Sequence, residues 1–273
     1  MFKGHTGKMP MYLEYPVNNR DSWKEYKKRL NPDNPNRWPE DWKAYAERVN
    51  KIGQEMPITL QVGSLFGFLR ESTGTEALLF MFYDDPGLIE DMMDTILDME
   101  MVIVKRVLRD IKINQAAYWE DMCYRAGPMI SPGMFKKFMV PRYKKLNEYL
   151  RSNGVDIILV DSDGDITKLI SLWLEAGVNL FAPLEVMSGM DAVALRKQYG
   201  KNILLQGNID KRELAKDKEA IRKEVLSKVP YLLSQGGYFP VVDHNVPPDI
   251  SFENYCYYIN TLREIAGLHK LSF

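Results

Sequence analysis

Carboxylate, amide and imidazole side chains close five short apolar runs between residues 114 and 246. Glu120 and Asp121 follow the run 114–119, and Asp161 and Asp163 follow 156–160. Glu185 comes after 179–183, Gln206 and Asn208 after 202–205, and Asp243-His244 after 237–242. Paired carboxylates can exchange protons or hold a cation, and an imidazole can do either near neutral pH. Side-chain amides can orient a substrate by hydrogen bonds.

Each group has a structural reading beside its chemical one. Asp161, Asp163 and His244 offer oxygen and nitrogen donors that suit zinc, manganese or another borderline cation. Asp161 and Asp165 could equally hold a turn and cap the helix that follows. The Asp-x-Asp-Gly run also resembles the nucleophile motif of haloacid-dehalogenase phosphatases, which continues with Thr where this chain has Asp165. An EF-hand is excluded, because Gly164 falls two positions too early for that loop. His244 stands before the rigid Pro247-Pro248 and reads as a catalytic acid, base or ligand, or as a histidine bonded to its own loop. His5 and His269, in the irregular start and the tail, receive no functional reading.

Glu120 and Asp121 follow Tyr118-Trp119, where desolvation would raise a carboxyl pKa and suit it to general acid work. A structural ion pair with Arg125 is the alternative. Glu185 is a weaker candidate of the same kind. Gln206 and Asn208 can bind substrate, although Asn208 could simply shape the turn before Asp210. Cys123 reads as a small buried thiol. Phe66 and Phe68, in the aromatic loop after 57–62, are placed with Arg125 among the substrate contacts.

These groups need elements that bring them to one place. A strand buried on both faces reads as an unbroken apolar run, and parallel strands require helical crossovers. The runs alternate with helix patterns, so a parallel α/β fold is expected. Asp84-Asp85-Pro86 opens a helix with Leu88, Met92, Ile96, Met99 and Ile103 on one face. Ser131-Pro132 opens another that closes at Asn153-Gly154. Asp165, Asp191, Asp210 and Ser251 open the later helices, and Trp38, Trp42, Tyr45, Val49 and Ile52 form an earlier amphipathic face. With 57–62 the strands number six. The expected fold is a (β/α)8 TIM barrel over 57–273 that lacks one or two N-terminal strands, preceded by an irregular and helical segment, 1–56. One domain is expected in all, with 11–17 the one extended piece before it. In such a barrel the strand C-terminal ends face one mouth, so the five polar clusters should share a cavity.

Composition narrows the partners. A formal net charge of −1 gives no case for nucleic acid or an anionic membrane, and no apolar stretch approaches the length of a spanning helix. Two cysteines make a disulfide framework improbable, and a cytoplasmic location is expected. Neither a GxGxxG turn nor a Walker loop is present.

From about Gln115 onward the chain resembles the uroporphyrinogen decarboxylase-like superfamily. The residues that carry the resemblance include Glu120-Asp121-Met122-Cys123-Tyr124-Arg125-x-Gly127-Pro128, Asp161-Ser162-Asp163-Gly164-Asp165 and Gly207-Asn208-Ile209-Asp210-Lys211. Asp243-His244-x-Val246-Pro247-Pro248 continues the series. The resemblance implies a (β/α)8 barrel and an enzyme, in the branch nearer the corrinoid-dependent methyltransferases. It implies zinc, a corrinoid carried by a partner protein, a small-molecule substrate and self-association. The methyltransferases ligate zinc with a His-x-Cys pair and a later Cys, where this chain has Asp161-x-Asp163 and His244. Any zinc site here is therefore expected to be rich in oxygen. Two alternatives remain open. One is a cofactor-independent decarboxylase gripping a carboxylated, tetrapyrrole-like substrate with Arg70 and Arg125. The other is a truncated, non-catalytic barrel that acts as an assembly partner.

Overall fold

A computed structural model describes residues 14–273 in full, together with the backbone of the strands Phe2–Lys3 and Met11–Tyr12, which pair antiparallel. His5 lies outside the described residues. The chain divides into two compact units, Met1–Glu120 with Gly133–Asp156, and Asp121–Pro132 with Ile157–Phe273.

In the first unit, β1 (Thr59–Gln61) and β2 (Gln115–Trp119) run parallel, with Leu60 opposite Ala116. Ala116, Ala117 and Tyr118 are buried in succession, as an apolar run covered on both faces should be. The crossover contains the helices Phe66–Thr73, Thr75–Asp84 and Pro86–Asp110. Asp85 starts the last of these by accepting from the Leu88 amide, and Leu88, Met92, Ile96 and Met99 are buried along it.

Two expectations for this unit need correction. The single helix expected from Ser131-Pro132 to Asn153-Gly154 is two, Pro132–Phe138 and Val140–Ser152. Pro141 has no N–H to carry the ladder through, so a new helix begins around it. The helix expected to include Trp38 starts at Trp42 after the Asp41 cap, and Ile52 is 44% exposed. Its aromatic end carries a cation. The Arg106 guanidinium lies 3.9 Å from the Trp38 ring and 5.2 Å from Trp42.

In the second unit, β3 (Ile157–Asp161), β4 (Leu180–Ala182), β5 (Leu204–Gln206) and β6 (Tyr238–Phe239) pair parallel in sequence order. Helices cross between them at Ile170–Glu175, Ala192–Tyr199 and Lys218–Gln235. Buried Arg196 fixes the approaches to β5 and β6 by donating to the carbonyls of Gly200, Ile203, Gly236 and Gly237. The run 237–242 yields a strand of only two residues plus a bridge from Val242 to Ile209, because Pro240 cannot donate to a ladder. Asp165 caps a turn through the Thr167 amide, and the helix that follows begins only at Ile170. Asp191, Asp210 and Ser251 cap helices as their positions predict.

All six strands expected from the sequence are present, two pairing parallel in the first unit and four in the second. Among the described residues no helix is long and apolar enough to cross a membrane.

Candidate active site

The second unit gathers polar groups just past the ends of β3, β4, β5 and β6. Asp163 and His244 meet directly, with His244 Nε2 3.3 Å from Asp163 Oδ2. Glu185 joins them, and one donor atom from each of the three lies within 4.8 Å of the others. Asp121 borders the group, its Oδ1 accepting from the Asp163 amide at 3.3 Å, while its own amide donates to the Asp161 carbonyl at 3.4 Å.

The loops that hold these groups are tightly determined. Gly164 has φ +84°, and a Cβ there would stand 2.7 Å from the backbone of Cys123 and Tyr124. Only glycine lets the Asp163 loop lie on the hairpin formed by Cys123–Tyr124 and Gly127–Pro128. The Gly164 amide then donates to Glu185 Oε2 at 3.0 Å, and Ser188 Oγ donates to the same oxygen at 3.2 Å. Gly207 has φ +112°, and its Cβ would fall 1.8 Å from the Pro183 carbonyl oxygen, so the β5 loop also needs glycine to approach the β4 loop.

Two buried side chains lock the loops together. Asn208 donates to the carbonyls of Leu184 and Met190, accepts from the Ala192 amide, and is fully buried. Asp243, also without exposure, accepts from the amides of Val186 and Lys211. The Lys211 ammonium stands 3.6 Å from Asp243 Oδ1 and 3.9 Å from Glu185 Oε1.

Burial first, and crowding of acids second, governs the electrostatics. The Asp161 carboxyl is pushed up to about 6 by burial and by the neighbouring charges of Asp121 and Asp163, with His244 pulling it down. Asp163 is raised for the same reasons, with Glu185 adding to Asp121 and His244 opposing. An acid that titrates near neutral pH beside a histidine can give or take a proton under ordinary conditions.

Several residues marked in the sequence take other roles. Glu120 belongs to the first unit, is fully buried, and accepts from Ser64 Oγ, from the amides of Leu65, Phe66 and Gly67, and from the Tyr143 hydroxyl. Burial pushes its carboxyl up and those donors oppose the push. It closes the N-terminus of the helix Phe66–Thr73, with no oxygen facing solvent for acid catalysis. Phe66 is likewise fully buried, with its ring 6.4 Å from that of Phe82. Asn208 is a loop clamp whose amide is fully used inside the protein. Arg125 is exposed at the hairpin tip and makes no ion pair among the described residues. Gln206 is half-buried at the end of β5, and Phe68 is half-buried with its ring 6.2 Å from Tyr26. Cys123 is a buried thiol, pushed up to about 12 mainly by that burial. In the first unit Glu100 is also desolvated, and its carboxyl is pushed up to about 7 with Arg37 pulling the other way.

Asp161 lies outside the three-residue group, and Glu185 takes the place expected for it. Lys211 and Asp243 escaped the sequence reading as site residues. A signal existed for Asp243, which adjoins His244 at a strand end. None existed for Lys211, one residue past the helix cap Asp210.

Parallel strands with helical crossovers, and a polar cluster beyond the strand C-terminal ends, define an α/β protein of the barrel class with an active-site-like centre. The sequence profile of the family "Uroporphyrinogen decarboxylase (URO-D)" matches residues 2–265, and the chain belongs to that family. It is 29% identical over 147 residues to the uroporphyrinogen decarboxylase of Legionella pneumophila strain Corby, a match covering 53% of this chain and 40% of that protein. The same protein from strain Lens matches to the same extent. The matched part thus spans less than half the length of these curated relatives. Among solved structures, a methyltransferase from Methanosarcina mazei superposes with a TM-score of 0.65 at 13% identity, covering 97% of this chain and 75% of its own. That likeness shows the fold, of the TIM-barrel type.

Proposed function

We propose that this chain is a methyltransferase of the uroporphyrinogen decarboxylase family, moving a methyl group between a small substrate and a corrinoid carried by a partner protein. The observation that carries the proposal is the group Asp163, Glu185 and His244. Its donors fit a zinc-like ion. Two ligands on one tetrahedral zinc stand about 3.4 Å apart, from metal–ligand bonds of about 2.0–2.1 Å. The 3.3 Å between His244 and Asp163 matches that edge, and Glu185, with a donor atom within 4.8 Å of both, would bring the protein ligands to three, the usual number at a catalytic zinc with one open position. The set is harder than thiolate ligation, so manganese is also accommodated.

A divalent cation bound there would supply Lewis acidity to the substrate heteroatom. The chain's own groups do the rest. Asp121 fixes the Asp163 loop, and Gly164 and Ser188 fix Glu185. Asp161, with its carboxyl at about 6, holds or releases the proton that accompanies methyl departure.

Protein purified without added metal should contain near-stoichiometric zinc or manganese, and His244→Ala should lose it. With a panel of O-, S- and N-methyl donors, labelled methyl should pass to free corrinoid chemically reduced to cobalt(I) on the wild type only, the leaving heteroatom taking up a proton. Metal-free wild type with no methyl transfer would discard this mechanism. The decarboxylase reading, favoured by the Legionella pneumophila relatives, would then be tested by loss of CO2 from carboxylated substrates.

A further inference from the structure

Lys211 is a cation placed beside the candidate metal ligands, and its side chain is not otherwise engaged. Its ammonium is in ion-pair range of Glu185 Oε1 at 3.9 Å and of fully buried Asp243 at 3.6 Å. Both separations are too long for hydrogen bonds, and among the described residues Lys211 Nζ makes none. The backbone of Lys211 is nonetheless pinned, because its amide donates to Asp243 at 3.2 Å. Glu185 Oε2 is taken by Gly164 and Ser188, which leaves Oε1 as the oxygen that Lys211 and a bound ion would share.

We propose that Lys211 is a positioning residue that acts through Glu185 as a built-in counter-cation. It holds Glu185 in place when the group Asp163, Glu185 and His244 is empty and competes with the divalent ion for that carboxylate when it is filled. The proposal rests on the metal-binding reading above. Two like charges compete for one carboxylate in a partly buried site, where screening is weak. Removing the lysine charge should therefore tighten metal binding, whereas the loss of a merely structural residue would loosen it.

The test is a calorimetric titration of zinc, and separately of manganese, into metal-stripped full chain. Lys211→Met should bind at least about tenfold more tightly than wild type, and Lys211→Arg, which keeps the charge, within about twofold of it. Should the Met variant unfold for want of a partner to Asp243, Lys211→Gln keeps a donor there and should show the same tightening. Binding by the Met or Gln variant where wild type shows none also supports the proposal. Equal or weaker binding by the uncharged variants overturns it while leaving the metal site standing. No binding by any variant overturns the metal reading and this proposal together.

Discussion

Glu120 shows how a residue type that suggests catalysis can be consumed by architecture. Its carboxylate receives five donors, three of them backbone amides that have no helical partner at the start of the helix Phe66–Thr73. Glu120→Ala would leave those amides buried and bare, so a loss of about 3–5 kcal/mol is expected in denaturant unfolding. A loss below about 1 kcal/mol would show that the network holds nothing. Glu100 makes a different statement. Its carboxyl moves from an ordinary 4.5 to about 7 on folding, so the folded chain binds more protons between those values. Stability contributed this way is complete below about 4.5 and is lost as the pH rises through about 7, a decline on the order of 3 kcal/mol. Glu100→Gln should flatten that decline, matching wild type near pH 5 and exceeding it near pH 8. Parallel slopes for the two proteins would refute the assignment.

At the scale of elements, strands announced themselves because continuous burial leaves no polar positions, as at Ile158, Leu159 and Val160 in β3. Capped helices were equally plain at Asp85, Asp191 and Ser251. Breaks caused by proline at 141 and 240 were legible in principle, and strand-like or helical neighbours hid them. Side-chain destinations were less legible. Nothing in the order of residues says that Asn208 turns into the protein to hold the β4 loop. That clamp predicts a graded series. Asn208→Gly accepts the positive φ of 67° and loses only the side-chain bonds, about 2–3 kcal/mol for three. Asn208→Ala should cost about 1 kcal/mol more, for the left-handed backbone. Both should weaken metal binding, because the loop they release carries Glu185.

At the scale of the whole molecule, the family and barrel class followed from ordered motifs and the regular alternation of strand and helix, and both are met. The grouping at the centre was half legible. Asp163 and His244 were paired from the sequence, whereas Glu185 displaced Asp161 through loop packing that depends on Gly164 and Gly207. All three grouped residues belong to Ile157–Phe273, which localises one more prediction. Zinc at one hundred times its dissociation constant should stabilise the fold by about 2.7 kcal/mol. Wild type should show that rise in melting experiments, with added amide protection concentrated in 157–273, and His244→Ala should show neither. Uniform protection across the chain would point to binding elsewhere.

Three non-glycine residues past the strand ends, Asp121, Leu184 and Asn208, have left-handed backbones, with φ of 45°, 60° and 67°. Such positions persist only where the surrounding structure over-determines them, and here they set the course of the loops. For anyone seeking new substrates by directed evolution, they divide the mouth into frame and face. Variation at Asp121, Leu184 and Asn208 will mostly cost stability. Variation at the exposed Tyr124 and Met187, on the segments that follow Asp121 and Leu184, leaves the frame intact.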